Sequence, residues 1–171
     1  MSFPAIIRTA SIILLSAWLA ACGSSGGGSS SDGTLELKDL DGTWTTACLV
    51  DAPNSLMVEL LINNGTLNST TTTYAGNTCS GGVMMIELTN LSLKLGDAVT
   101  LDGSVAGITT ATEVDATNTT PMSPDNGEVE YSIIAIKGDS LYYGDFDGVN
   151  DGTTPARRSI QLDDSVVFTR I

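Results

Sequence analysis

Residues 55–74 read SLMVELLINNGTLNSTTTTY and predict a β-hairpin. Ser55 to Ile62 and Thr66 to Tyr74 are rich in the aliphatic and β-branched residues that favour strands. Between them, Asn63-Asn64-Gly65 supplies residue types that readily adopt the positive φ angles of a tight hairpin turn. The stretch therefore predicts two antiparallel neighbours joined by a short connection.

The same pattern continues on both sides of this hairpin. Short turns are predicted at Asp102-Gly103 and Gly138-Asp139, and two longer polar loops cover 116–127 and 147–157. The further predicted strands are 43–50, 83–88, 91–95, 99–101, 104–114, 128–137, 140–146 and 165–171. Because no convincing helix is present to cover a sheet, the sheet must close on itself or form two layers. The mostly short connections predict an all-β domain with a single antiparallel up-and-down barrel, and a β-sandwich is the alternative.

The first 21 residues have the composition of an export signal. Arg8 supplies a positive charge, Ala10 to Leu19 is an uncharged apolar run, and small residues precede Cys22. A transmembrane helix is the alternative, but a bilayer span needs ~20 apolar residues, more than this run provides. Residues 1–21 are therefore predicted to be a cleaved signal peptide.

The sequence Leu19-Ala20-Ala21-Cys22 resembles the lipobox of bacterial lipoproteins. The resemblance implies that the Cys22 thiol receives a diacylglycerol, that the signal is cut before Cys22, and that a further acyl chain such as palmitate is added to the new amine. Two or more acyl chains anchor a protein stably in a membrane, whereas one binds reversibly. Gly23 stands where an Asp often retains Gram-negative members in the inner membrane, so the resemblance implies the outer membrane, facing the periplasm or the surface.

Residues 22–34 continue as CGSSGGGSSSDGT, which predicts a flexible tether after the lipidated cysteine. Such a stretch has nothing to bury and behaves as a random coil with an average span of ~20 Å. Residues 35–171 then form one domain, which is long enough to close a single core.

Cys48 and Cys79 remain once Cys22 is assigned to lipid. Exported compartments favour pairing of cysteines, and these two lie 31 residues apart. A bridge across that loop would stabilise the domain by ~3.7 kcal/mol in the chain-entropy model. Metal binding is the alternative, but the chain contains no histidine and no other cysteine to complete a site. The sequence therefore predicts a Cys48–Cys79 disulfide.

The charged residues are strongly unbalanced. The chain has 7 basic and 20 acidic residues and a net charge of −13, which repels nucleic acid and anionic lipid phosphates. The absence of histidine removes the Ser-His, Cys-His and His-metal types of catalytic site. A carboxylate-dependent hydrolase stays open in principle, but no pair of acidic residues stands out by its spacing. The prediction is a non-enzymatic protein without a cofactor.

The two ends of the predicted domain carry a family resemblance. Asp41-Gly42-Thr43-Trp44 opens the first strand, and Phe168-Thr169-Arg170-Ile171 ends the last. This combination resembles lipocalins and the wider calycin group. The resemblance implies that Gly42 bends the chain into the strand and that Arg170 packs across Trp44 to close the barrel. An ordinary core tryptophan after a turn is the alternative.

A second resemblance covers more of the chain. The order of Cys22, Gly42-Thr43-Trp44, Cys48, Tyr74 and Cys79 is similar to small proteobacterial lipoproteins in which a lipobox and a tether precede such a domain. It implies the same lipid anchor, through the acyl chains on Cys22, and the same lipocalin-like barrel.

The loop around residue 148 supplies oxygen ligands at short spacing. Asp145, Asp147, Asn150 and Asp151 are candidate ligands for calcium, which prefers carboxylate and carbonyl oxygens in a flexible loop. The spacing departs from an EF-hand, since Val149 stands where a ligand is needed. A polar loop without a metal is the alternative.

Three other features of the sequence each allow two interpretations. Arg157-Arg158 is predicted to balance acids such as Asp163 and Asp164, or else to meet an anionic ligand. Met57, Met84 and Met85 are predicted to fill the core, or else to line an apolar cavity. The run Thr70–Thr73 is predicted to be a solvated strand surface, or else an edge that receives a partner strand.

These observations together predict a lipid-anchored envelope protein whose barrel holds a small apolar ligand. The alternative is an interaction or structural module of the envelope whose core is fully packed. Neither reading identifies a protein partner.

Overall fold

The computed structural model describes residues 35–171. The predicted signal peptide, the lipid on Cys22 and the tether lie outside the described residues. The helix and strands are α1 (Leu37–Leu40), β1 (Gly42–Thr46), β2 (Leu49–Asp51), β3 (Asn54–Asn63), β4 (Thr66–Ala75), β5 (Val83–Val105), β6 (Ile108–Asn118), β7 (Val129–Lys137), β8 (Ser140–Gly144) and β9 (Leu162–Arg170), with a 3₁₀ turn at Pro155–Arg157. In this part of the chain, no helix is long and apolar enough to span a bilayer.

Eight of these strands form one closed antiparallel barrel. From β3 to β9 each strand pairs with the next one in sequence, and β1 closes the ring by pairing with both β3 and β9. Trp44 lies at this closure, opposite Leu60 on one side and Arg170 on the other. The short strand β2 pairs antiparallel with β3 and is the ninth strand of the sheet, outside the eight that form the ring. The predicted all-β up-and-down barrel is confirmed, since the strands form a single closed sheet rather than the two layers of a sandwich.

The hairpin that predicted this fold forms as expected. β3 and β4 pair over their full length, from Asn54 opposite Ala75 to Asn63 opposite Thr66. Asn64 and Gly65 have φ angles of 46° and 79° at the turn. A Cβ atom on Gly65 would lie 3.1 Å from Leu37 Cδ1 and 3.2 Å from the Leu93 carbonyl oxygen. Both the positive φ and the close approach of α1 therefore require glycine there.

The structure corrects several predicted boundaries. Residues 83–105 form one strand of 23 residues instead of several short ones, and the predicted turn at Asp102-Gly103 is wrong. The chain turns at Ala106-Gly107 instead, where Val105 pairs with Ile108. Gly103, at φ 113°, lies within the irregular pairing between Thr100 and Val105. Ala106 and Gly107 have φ angles of 51° and 76°, which is the geometry of a two-residue hairpin turn, so the turn forms there.

Apolar residues cover both faces of β7. Ile134 faces the barrel interior and packs with Val114, Leu141 and Phe168. Its neighbour Ile133 faces outward and is equally buried. The parts of β5 and β6 that carry Leu101 and Ala111, which we call the β5–β6 arm, lie over the outside of the barrel and cover it. The outer cluster contains Leu101, Ala111, Ile133, Ala135, Tyr142 and Leu162. A strand buried on both faces explains the nearly continuous apolar run in β7.

Arg158 fastens the β8–β9 connection to the outside of β6 and β7. Its guanidinium is mostly buried, and it lies 5.5 Å from the ring centroid of Tyr131. It donates to the backbone carbonyls of Val114 at 2.9 Å and Ser132 at 2.8 Å. It is also paired with the carboxylates of Asp115 at 2.8 Å and Glu113 at 3.4 Å. Arg157 pairs with Asp151 at 2.9 Å. The predicted pairing with Asp163 and Asp164 is therefore wrong, because the loop folds back over β6.

Replacing Arg158 by methionine should lower the free energy of unfolding by roughly 3 kcal/mol. The change keeps much of the side-chain volume but leaves two carbonyls and two half-buried carboxylates without their common donor. Urea unfolding followed by tryptophan fluorescence measures the loss. Lys38→Met is the control, because the pair of Lys38 with Glu36 is exposed on both sides and should contribute less than ~1 kcal/mol. Equal losses in the two variants would contradict this role for Arg158.

Candidate functional site

One end of the barrel, which we call the floor, is closed around Trp44. The indole is fully buried, and its Nε1 donates to the Leu40 carbonyl of α1 at 2.8 Å. The Arg170 guanidinium carbon lies 4.2 Å from the centroid of the indole ring. The same guanidinium donates to the carbonyls of Asp41 and Asp39, each at 2.8 Å. The structure thus places Arg170 across Trp44, as the lipocalin resemblance implies.

Gly42 is part of the same arrangement. Its φ angle is 136°, which L-residues rarely adopt. A Cβ atom there would lie 3.5 Å from Arg170 Nη1. Gly42 therefore lets the chain leave α1 and enter β1 beneath the guanidinium. Gly42, Trp44 and Arg170 act together as a structural closure that seals this end of the interior.

Above the floor, the barrel encloses a cavity of about 30 Å³. Eight of its lining side chains are hydrocarbon, namely Leu60, Ile62, Leu67, Leu91, Leu93, Ile134, Leu141 and Phe168, while Glu130 and Tyr143 are polar. A space of this size accommodates one or two water molecules. It is much smaller than the ~300 Å³ of a typical small-molecule pocket.

On five strands the inward-facing residues become polar with distance from the floor, whereas β3 and β9 stay apolar there, at Val58 and Val166. We call Thr46, Ser69, Thr89, Asn118 and Glu130 the polar ring, because each lies farther from the floor than the buried apolar residues of its own strand. Thr46 Oγ1 accepts from Val58 N at 3.0 Å, and Asn118 Oδ1 accepts from Thr120 N at 2.8 Å. The interior therefore has a hydrocarbon half near the floor and a mixed half that carries the polar ring.

Tyr143 and Glu130 form the polar end of the cavity wall. The Tyr143 hydroxyl donates to Glu130 Oε1 at 3.1 Å. Burial and, secondarily, the Glu130 carboxylate raise the pKa of Tyr143 well above its ordinary range. The phenol therefore stays protonated and serves as a hydrogen-bond donor. Sequence reasoning missed this pair, although Glu130 shares the period-two face of Ile134 and so could have been placed inside.

Ser69 carries the least expected polar group of the interior. It lies between Leu60 and Thr89 in the sheet and is almost fully buried. Within residues 35–171 its hydroxyl oxygen has no hydrogen-bond partner. Buried polar groups normally have partners, and one without costs ~1–3 kcal/mol. The register places Ser69 two residues farther from the floor than Leu67 and on the same face of β4, and Leu67 and Leu91 line the cavity.

The predicted Cys48–Cys79 disulfide is confirmed. It joins the break between β1 and β2 to the loop that connects β4 with β5. Ser55 holds the same loop, since its hydroxyl donates to the Gly76 carbonyl at 2.7 Å and accepts from Cys79 N at 2.8 Å. The bridge is structural and lies away from the cavity lining.

The candidate calcium loop is held by its own hydrogen bonds. Asp147 accepts from the backbone N–H groups of Val149 and Asn150, each at 2.6 Å, and these bonds lower its pKa. Asp151 binds Thr153 and Arg157. Partial burial, followed by the nearby charges of Asp163 and Asp147, raises the pKa of Asp145. Over residues 35–171 no three acidic, cysteine or histidine side chains converge as metal ligands, so the geometry gives the calcium interpretation no support.

The methionine prediction is wrong, and for Thr70–Thr73 the edge alternative is excluded, whereas the predicted strand surface remains, since these threonines are partly exposed. Met84 and Met85 are exposed, so they neither fill the core nor line the cavity. Thr70–Thr73 is not an edge, because it pairs with β3 on one side and β5 on the other. The exposed edge belongs to the first part of β5 instead.

Comparison of the chain with models of protein families, with curated proteins and with solved structures gave no match.

Proposed function

We propose that this protein is a non-enzymatic, lipid-anchored protein of the bacterial envelope whose barrel binds a small apolar ligand. The proposed anchor is the acylated Cys22, and the glycine- and serine-rich residues up to 34 are the proposed tether to the barrel. The proposed location is the outer membrane, on the grounds that Gly23 follows the cysteine. The closed all-β barrel is the part of this proposal that the structure establishes.

The ligand proposal rests on the hydrocarbon half of the interior near the floor and on the polar ring that lies beyond it. An apolar chain would lie against Leu67, Leu91 and Ile134, and its burial would contribute ~25 cal/mol per Å². A hydroxyl or carbonyl at its end would reach the unpartnered Ser69 hydroxyl. Since the cavity is about 30 Å³, the ligand is slender, and the leucine side chains move to admit it.

The second candidate is an envelope interaction module with a packed core. The size of the cavity favours it, because about 30 Å³ holds water but no organic ligand without rearrangement. Under this alternative one or two waters satisfy Ser69, and the outer surface carries the function.

Mass spectrometry of the protein extracted from its own envelope tests the first candidate. We expect an N-terminal peptide that begins at Cys22 and carries acyl chains, and an intact native ion that carries an additional lipid-like mass. An unacylated Cys22 would overturn the anchor. A native ion without added mass, after gentle extraction, would favour the packed module.

A matched pair of variants locates the ligand. Leu91→Phe fills the cavity and should weaken binding of the neutral probe N-phenyl-1-naphthylamine about tenfold. Leu61→Phe adds the same group on the outer face of β3, where Leu61 is 48% exposed, and should leave the affinity unchanged. Probe binding that is equal in the wild type and both variants would show that the probe does not enter the barrel.

A further inference from the structure

The first part of β5 is a free sheet edge. Residues 83–89 pair with β4 on one side, whereas pairing with β6 on the other side begins only at Leu91 opposite Asn118. Among residues 35–171, no strand pairs with Val83–Leu88 on that second side. The edge contains no proline and no lysine, which are the usual protections of an exposed edge.

The side chains of this edge are large, apolar and exposed. Val83, Met84, Met85, Ile86 and Leu88 are 56%, 61%, 54%, 59% and 64% exposed. Ile86 and Leu88 share the outer face of the sheet and lie beside the uncharged Thr72 and Thr70 of β4. A contiguous apolar patch with an unpaired backbone is typical of a surface that receives another β-strand.

Charge is nearly absent from this part of an otherwise acidic chain. Residues 60–93 contain one charged side chain, Glu87, although the whole chain carries 27 charged residues and a net charge of −13. A basic partner would be attracted more strongly to an acidic edge than to this uncharged one. Two copies of the same acidic chain, in contrast, meet with the least repulsion through their uncharged faces. Gly23–Gly33 has no large apolar side chain with which to cover Ile86 and Leu88.

We infer that Val83–Leu88 pairs antiparallel with the same segment of a second copy of this chain, so that the two barrels share a continuous sheet. In an antiparallel pair, two opposite residues either both point their backbone N–H and C=O groups at the partner strand or both point them away. A two-fold axis between identical segments therefore passes beside one residue, which lies opposite its own copy. With the axis at Ile86, Ile86 meets its own copy and Glu87 lies opposite Met85. This register avoids a Glu87–Glu87 contact and brings the Ile86 and Leu88 side chains of both copies onto one face.

The pairing is a monomer–dimer equilibrium rather than a permanent dimer. Six residues from each copy bury less surface than the ~1,200 Å² of a stable interface. The disulfide and the Ser55 hydrogen bonds fix the loop before β5, so the edge is already ordered before it pairs. The inference is independent of ligand binding in the barrel.

Cysteine crosslinking in the exported full-length chain tests the contact. Opposite residues of an antiparallel pair are close enough for a disulfide, so Ile86→Cys should link to its own copy. Ile160→Cys is the matched control, because Ile160 is 50% exposed and lies in the β8–β9 connection. We expect at least tenfold more linked dimer from Ile86→Cys. Equal amounts from both variants, or a link from Ile86→Cys to a different envelope protein, would overturn the inference.

Sedimentation velocity of the full chain provides the second measurement. Ile86→Lys should lower the dimer association constant at least tenfold, because the axis then brings two ammonium groups together. Ile86→Val should retain the dimer, and near-UV circular dichroism verifies folding of both variants. A wild-type protein that stays monomeric up to millimolar concentration would overturn the inference, as would a dimer that Ile86→Lys leaves intact. If the wild type does not self-associate and Ile86→Lys loses binding to lipid vesicles, the edge contacts lipid instead, and this result would also overturn the inference.

Discussion

Replacing Trp44 by alanine is expected to lower the free energy of unfolding by about 3–5 kcal/mol, which is a large part of the total for a domain of this size. The indole is fully buried where the first and last strands meet, so its loss opens a cavity at the closure of the barrel. The change also removes the donor to the Leu40 carbonyl and the surface on which Arg170 lies. Urea unfolding followed by far-UV circular dichroism measures the effect.

Two further variants separate the volume of Trp44 from its contacts. Trp44→Phe keeps an aromatic ring and should cost less than the alanine variant. Arg170→Lys should cost roughly 1–2 kcal/mol, because a lysine cannot stack on the indole while donating to both the Asp39 and Asp41 carbonyls. Arg157→Lys is the comparison, because Arg157 also donates to two carbonyls, those of Val149 and Gly148, but from a more exposed position. A Trp44→Ala protein as stable as the wild type would show that the barrel closes without this residue.

Removal of the Cys48–Cys79 bridge is expected to cost about 3.7 kcal/mol in the chain-entropy model. The bridge constrains the unfolded chain across 31 residues, and it also fixes the loop between β4 and β5 against the break between β1 and β2. Urea unfolding of the Cys48→Ala, Cys79→Ala double variant measures the loss.

The control for the disulfide is Cys22→Ser, which leaves the bridge in place and should unfold at the wild-type urea concentration. The folded double variant should also lose protection from hydrogen exchange first in the 76–82 loop, where only the Ser55 contacts then remain. Identical stability of the double variant and the wild type would mean that the loop does not depend on the bridge.

Local sequence signals predicted much of this architecture. The turn at Asn63–Gly65, the alternation of strands and short connections, and the Cys48–Cys79 pair all follow from residues close in sequence or from cysteine chemistry. The placement of Arg170 over Trp44 followed from a resemblance at the two ends of the chain. The candidate interior was less predictable, because Glu130 and Tyr143 stand out only after the inward face of each strand is known.

By itself, the sequence determined the class of structure: strands with a period of two, turns at glycine and asparagine, and no helix long enough to cover a sheet, so that the sheet must close. Only the tertiary structure decided which faces are covered. In the tertiary structure, the β5–β6 arm buries Ile133, and Arg158 pairs with Glu113 and Asp115. Met85 and Ile86 remain exposed at a free edge. The physical reason is that burial depends on which neighbouring strand extends alongside each residue, and strand lengths in a barrel are matched by pairing between residues far apart in sequence.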